Sequence, residues 1–354
     1  MALLTNQTGR TRAGGSTIDA LATAPGVKLV ALFSPEHGIR GQLDENVPSS
    51  RDEKTGVPIH SLYSETRRPT SAMLEGVDAI VIDLQDIGAR FYTYPATVGY
   101  VLEEAAQRKV AVIVLDRPNP IGGFHIEGPW QDASAVGFTG YAPMPIRHGL
   151  TLGELARLFN GEQKIGADLT IVAMKNWRRD EWFDRTGLAW TSPSPNMRNL
   201  LAATVYPGIG AIEGTNISVG RGTDTPFEQL GAPWIDGNEL AATLNARSVP
   251  GVRFYPVSFT PAAGARLGGQ MCHGIFIVVT DRDRLRPVRM GVEIAAALSR
   301  LYGDQFRLED AASLLGSTAT IARIRAGDDP AAIAASWAAD EAKWKQIRAK
   351  YLLY

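Results

Sequence analysis

Wherever an apolar run of this sequence stops, side chains that can do chemistry begin. The run ALLT is followed by Asn6. VKLVALFS breaks at Pro35 and presents Glu36 and His37 side by side. AIVIDLQD leads into Asp86, Arg90, Tyr92 and Tyr94, and VAVIVLD leads into Arg117, Asn119 and then Glu127. Four strand ends that all carry polar groups predict a cleft at the carboxyl edge of an open α/β sheet. The residue types narrow the chemistry. Paired carboxylates cut glycosidic bonds by acid and base catalysis. Asparagine, tyrosine and histidine hold hydroxyls, and arginine grips a carboxylate with two parallel hydrogen bonds. This set fits sugars and polyols.

Each candidate also has a plainer reading. Glu36 and His37 can serve as loop residues that bond backbone. Arg90 lies four residues after Asp86, the spacing of a simple ion pair. Tyr92 and Tyr94 share one face if the segment is extended, which suits either stacking on a sugar or core packing. Asn119 sits in DRPNP, a turn signature. His148 stands just before a helix start. A second dense segment, IEGTNISVGRGTDTPFE, puts Glu213, Asn216 and Arg221 among glycines, which let backbone approach a ligand closely. That density predicts a binding loop.

Other chemistries fail on specific residues. GRTRAGGST, residues 9–17, nearly fits a phosphate-binding loop, but Gly15 stands where the lysine is required. No Gly-x-Gly-x-x-Gly follows the first strand, so a dinucleotide cofactor is not expected. No Gly-x-Ser-x-Gly elbow is present. The five histidines lack metal-ligand spacing, and Cys272 is the only cysteine, so neither a metal site nor an internal disulfide is expected. Lys and Arg total 36 against 37 Asp and Glu, which leaves no basic footprint for nucleic acid. No apolar run is long enough to span a bilayer.

The elements that must position these groups read as strand, helix, strand. Continuous Ile/Val/Leu runs predict parallel strands covered on both faces. Between them, STIDALAT starts at Ser16, TVGYVLEEAAQRKV is amphipathic, and Thr151 with Glu154 forms a capping box. The expected fold class is α/β, a Rossmann-like doubly wound and mostly parallel sheet. The 354-residue length predicts two domains. The texture changes near residue 222, which predicts a catalytic domain over 1–222 and a smaller α+β domain over 223–354. PAAIAASWAADEAKWKQIRAKYL reads as one long terminal helix.

Taken together, LLTNQTG, SPEHGIRG, DLQDIGARFYTY, LDRPNPIGG, IEGP, SPSPNM, IEGTNISVGRGT and the ending KYLLY resemble the bacterial exo-β-N-acetylmuramidase family along essentially the whole chain. The resemblance implies an exo-acting glycoside hydrolase of peptidoglycan recycling. Such an enzyme releases N-acetylmuramic acid from the non-reducing end of peptidoglycan fragments and takes no cofactor. On that footing Glu36 is the expected acid/base, partnered by Glu127 or Glu213. The substrate's acetamido group, oriented by Asp86, is an alternative to the second carboxylate. Arg90, Arg117 or Arg221 is expected to read the lactyl carboxylate, with Asn6, His37, Tyr92, Tyr94, Asn119, His148 and Asn216 around the sugar. The competing class is a non-catalytic cell-wall sugar-binding protein. The sequence as read opens in a strand without a signal-peptide pattern, which predicts a cytoplasmic location, or export if the natural chain starts further upstream.

Overall fold

The computed structural model describes residues 1–41 and 47–354. Seven strands build the larger sheet: β1 (Ala2–Thr5), β2 (Ala31–Ser34), β3 (Ser50–Arg51), β4 (Pro58–Ser61), β5 (Ala79–Asp83), β6 (Ala111–Leu115) and β7 (Leu169–Val172). They lie in the order β3-β4-β2-β1-β5-β6-β7. The pairs are parallel except β3 with β4. A smaller antiparallel sheet has the order β8-β10-β9, from β8 (Gln229–Ala232), β9 (Val252–Phe259) and β10 (Cys272–Val279). The helices are α1 (Thr17–Ala22), α2 (Tyr94–Arg108), α3 (Leu152–Glu162), α4 (Leu200–Ile209), α5 (Gly237–Ala246), α6 (Pro287–Tyr302), α7 (Ala312–Leu315), α8 (Thr318–Arg325), α9 (Pro330–Ala335) and α10 (Ala338–Ala349). None among the described residues is long and apolar enough to cross a membrane.

The expected α/β architecture is present, and its two sheet faces differ. Leu4, Phe33, Ile80, Ile82, Val112 and Val114 share a core with residues of α2 and α3. On the other face Leu3, Leu32 and Val81 pack beneath Ile18 and Leu21 of α1. With six residues, α1 is too short to roof the whole sheet. Ile113 and Leu115 of β6 are therefore half-buried, and Val172 of β7 is 50% exposed. The expectation that every parallel strand is covered on both faces is corrected at β6 and β7.

Local signals explain the helix ends. Ser16 accepts from the Ile18 amide, and Thr151 and Glu154 form the reciprocal capping box. The single terminal helix expected from the sequence is two, α9 and α10. The Ser336 hydroxyl turns back onto the Ile333 carbonyl and Trp337 is buried at the break. The end of the chain returns to the first sheet. Asp116, just beyond β6, accepts from Thr151 Oγ1 at 2.6 Å, the Gly153 amide at 2.8 Å and the Tyr354 hydroxyl at 2.9 Å. Burial raises its carboxyl to about 6 despite these bonds.

α4 lies against α6 with glycines at the contact. A Cβ on Gly208 would stand 1.9 Å from the Pro287 carbonyl oxygen. Gly208→Ala is expected to cost about 1–3 kcal/mol by overpacking, read from the urea midpoint. Gly264→Ala, which meets nothing within 4 Å, is expected to leave the midpoint near wild type. Asp116 generates a pH prediction. Its folded pKa lies above the ordinary 3.8, so the folded chain binds this proton more tightly than the unfolded chain. Its contribution to stability is present at low pH and is lost as pH rises through about 6. Asp116→Asn is expected to flatten that part of the profile of urea midpoint against pH.

Candidate active site

Glu36 owes its position to an interrupted strand. Pro35 cannot continue β2, and the Gly38 amide closes a turn on the Pro35 carbonyl at 3.1 Å. His37 takes the left-handed conformation, φ 71°, which a non-glycine residue adopts at a cost and which recurs at functional sites. Glu36 is half-buried, and its Oε2 accepts from Thr93 Oγ1 at 2.6 Å. Thr93 immediately precedes α2, so the bond joins the loop after β2 to the loop after β5, across the end of β1.

A cavity of about 270 Å³ opens here, lined by Glu36, His37, Tyr63, Tyr92, Tyr206 and Arg221 among others. The Tyr92 hydroxyl is buried without a well-formed hydrogen bond. Burial, then the neighbouring Tyr94, hold the Tyr92 phenol well above its ordinary 10.0. Burial and then the Glu213 carboxylate do the same to Tyr206. Both phenols are therefore neutral donors at any physiological pH. Arg221 Nη2 donates to Glu213 Oε2 at 3.3 Å, its Nε donates to Oε1, and its guanidinium lies 5.0 Å from the Phe227 ring centroid. Glu213 thus reaches the cavity through Arg221.

Asn6 and Tyr94 stand behind the wall of this cavity. Asn6 Nδ2 donates to the Tyr94 hydroxyl at 2.8 Å, which donates to the Pro193 carbonyl. Gln7 adds a bond to the Ser192 carbonyl at 2.7 Å. These ties fix the segment that brings Ser194 and Met197 to the lining. Tyr92 and Tyr94 do not share a face of an extended segment, because Thr93 is helical and Tyr94 begins α2. Their rings meet edge to face, 4.7 Å between centroids.

The other sequence candidates lie elsewhere, and the structure gives them different work. Glu127 is buried and accepts from the Arg289 amide at 2.8 Å, capping α6 from outside, with Arg286 Nε at 3.7 Å. Burial raises its pKa, and the arginines oppose the shift. A bridge between Glu127 and Arg147 carries it there, away from the Glu36 cavity. Among the described residues Arg90 does not form the expected ion pair with Asp86. It donates to the carbonyls of Met144 at 2.8 Å, Leu314 at 3.0 Å and Leu315 at 2.8 Å. Burial lowers Arg90 to about 9, opposed by the Asp132 carboxylate. Asp86 accepts from the Gly88 amide and faces His148 Nε2 at 3.6 Å, while His148 Nδ1 accepts from the Leu150 amide. Asn119 bonds the Leu150 carbonyl and the Ile121 amide, and Asn216 bonds the Gln305 carbonyl and the Arg307 amide. None of these six lines the Glu36 cavity. Arg117 pairs with Asp83 at 2.6 Å and lines a separate cavity.

Two family models cover the chain, the N-terminal part of exo-beta-N-acetylmuramidase NamZ over residues 1–201 and its C-terminal part over 204–354. The chain belongs to the exo-β-N-acetylmuramidase family. A member described as peptidoglycan beta-N-acetylmuramidase, from Bacillus subtilis strain 168, is 45% identical over 357 residues, covering 99% of this chain and 86% of that protein. Two crystal structures of DUF1343 family proteins from Bacteroides fragilis NCTC 9343 share the fold over 100% of this chain and 93% of theirs. Their TM-scores are 0.92 and 0.83, at 35% and 31% identity. The two family models meet between 201 and 204, just after α4 begins, whereas the compositional change lies near 222.

The Glu36 cavity also contains residues that sequence reasoning passed over: Tyr63, Thr93, Ser194 and Tyr206. Thr93 was legible between two tyrosines already singled out. Tyr206 lies within an apolar helix and gave no polar signal. Tyr94→Phe is expected to cut the tie to Pro193 and leave Asn6 Nδ2 without its acceptor. The expected cost is about 1–3 kcal/mol in urea unfolding, with a raised KM from the loosened wall.

Proposed function

We propose that this chain is an exo-acting glycoside hydrolase that releases terminal N-acetylmuramic acid from peptidoglycan fragments, with Glu36 as the general acid. The observation that carries the reading is Glu36 itself. It is half-buried at a strand end, bonded to Thr93, in a cavity walled by tyrosines, within a chain of this family. A volume of about 270 Å³ is at the small end for ligand sites. It suits one sugar residue, as exo action requires.

In the reaction the Glu36 proton passes to the glycosidic oxygen as the bond from C1 breaks, and a water adds its hydroxyl to C1, its other proton leaving to solvent, from which the Glu36 carboxylate is reprotonated. The leaving sugar departs as an alcohol. Thr93 holds one Glu36 oxygen and leaves the other for the substrate. Tyr92, a buried neutral donor, supports a role in holding the acetamido group. Of the three arginines considered, Arg221 lines this cavity, which favours it as the reader of the lactyl carboxylate, oriented by Glu213.

Glu36→Gln is expected to lower release of N-acetylmuramic acid from MurNAc-GlcNAc by about 10²–10⁴-fold with an unchanged circular dichroism spectrum. Equal rates would remove Glu36 from the mechanism. Binding of the disaccharide without turnover by wild type would establish a sugar-binding protein instead. Arg221→Ala is expected to erase the preference for muramic over glucosamine substrates, measured as the ratio of kcat/KM values. An unchanged ratio would sink the lactyl assignment.

A further inference from the structure

A larger cavity, about 720 Å³, lies on the α1 face of the main sheet, beyond the carboxyl ends of β5, β6 and β7. It exists because α1 leaves this half of the sheet without a helix. Its lining shares no residue with the Glu36 cavity. The segment 188–197 runs between the two, with Leu188 in this lining and Ser194 and Met197 in the other.

The charges here are unbalanced in a specific way. Among the described residues, five basic and three acidic side chains line the cavity. The acids are engaged within the protein. Asp83 holds Arg117 and Thr17, Asp116 holds Thr151, Gly153 and Tyr354, and Glu181 meets Arg178. Among the described residues, three of the cations, Arg12, Lys175 and Arg185, make no side-chain hydrogen bond or ion pair. Trp177 adds a directional donor. It lines the same cavity at 7% exposure, and its buried indole N–H has no acceptor. Leu21, Leu115 and Leu188 supply apolar lining.

The glycine-rich segment 9–17 forms one wall, and it does not cradle phosphate. Its amides are spent internally: Thr11 on Gly15, Gly14 on Thr11, and Thr17 on Gly9. A phosphate loop needs those amides free. The site instead offers separated cations, one indole donor and an apolar surface, which match an extended ligand with several carboxylates and an apolar body.

We propose that this cavity is a second binding site, for a short acidic peptide. Such a peptide reaches it either free or linked to the sugar substrate. The test titrates the whole protein with the tripeptide Ala-Glu-Ala, followed by calorimetry and tryptophan fluorescence. Saturable binding is expected, weakened by salt and by at least ~tenfold in the triple variant Arg12→Ala, Lys175→Ala, Arg185→Ala. All three side chains are exposed, so this variant is expected to fold and to release N-acetylmuramic acid from a peptide-free disaccharide at the wild-type rate. Trp177→Phe removes the indole N–H together with part of the ring, and is expected to weaken binding and abolish the fluorescence change. No saturable binding by wild type, or equal binding by the triple variant, overturns the proposal. So does competition by inorganic phosphate at the concentration at which the peptide binds. A MurNAc-linked tripeptide that binds tighter than the free one supports the site with the sugar substrate as source; equal affinity supports it with a free peptide as source. Binding is read without turnover, so failure of the hydrolase reading and failure of this one are separate results.

Discussion

The reversal of strand order at β1 is the constraint on which the site depends. The chain leaves β1 toward β2 and β4, then returns to lay β5 and β6 on the other side. Loops from β2 and β5 therefore diverge over the end of β1 and leave a crevice there. The hydrogen bond from Thr93 to Glu36 is a direct tie across that opening between the two loops that carry them. It orients the carboxylate while leaving its surroundings hollow. The walls come from farther along the chain, from Ser194, Tyr206 and Arg221.

Farther from the cavity, buried arginines that bond carbonyls rather than acids tie distant segments of the chain together. Arg90 joins the loop around Met144 to the carbonyls that end α7. Arg348 of α10 donates to the carbonyls of Gly123 at 2.9 Å and Gly149 at 2.7 Å, and Trp344 donates to the His148 carbonyl at 2.8 Å. Burial lowers Arg90 to about 9 and Arg348 to about 10, so both guanidiniums remain protonated near neutral pH. A planar fork with five donors satisfies several carbonyls at once, which lysine cannot do. The C-terminal layer is thereby stapled to the catalytic sheet by polar contacts as well as by its apolar core.

This division of labour explains what the sequence disclosed and what it hid. Strand runs, the Ser16 cap and the Thr151 box were legible because they are local. So was the position of Glu36, since a proline after an apolar run marks the end of a strand. In the sequence Glu127 reads as a partner carboxylate, and Arg90 as a reader of the lactyl group or a partner of Asp86. Their real partners, the Arg289 amide and the Leu314 and Leu315 carbonyls, lie more than a hundred residues away. Backbone groups carry no mark in a sequence, so an arginine that staples carbonyls cannot be told from one that awaits a ligand. Tyr206 was hidden for the opposite reason, as one aromatic in an apolar helix whose exposed edge only packing defines.

The contact between Tyr354 and Asp116 bears on how the molecule is made. The Leu353 amide also bonds Glu154, and Arg157 donates to the Tyr351 carbonyl. The end of β6 and the start of α3 thus take partners from residues about 200 positions later in the chain. During translation the first half can collapse around its strands, yet Asp116 and Glu154 lack these partners until α10 and the residues after it have left the ribosome. The nascent sheet therefore waits, with this polar edge open, for a segment made long after it.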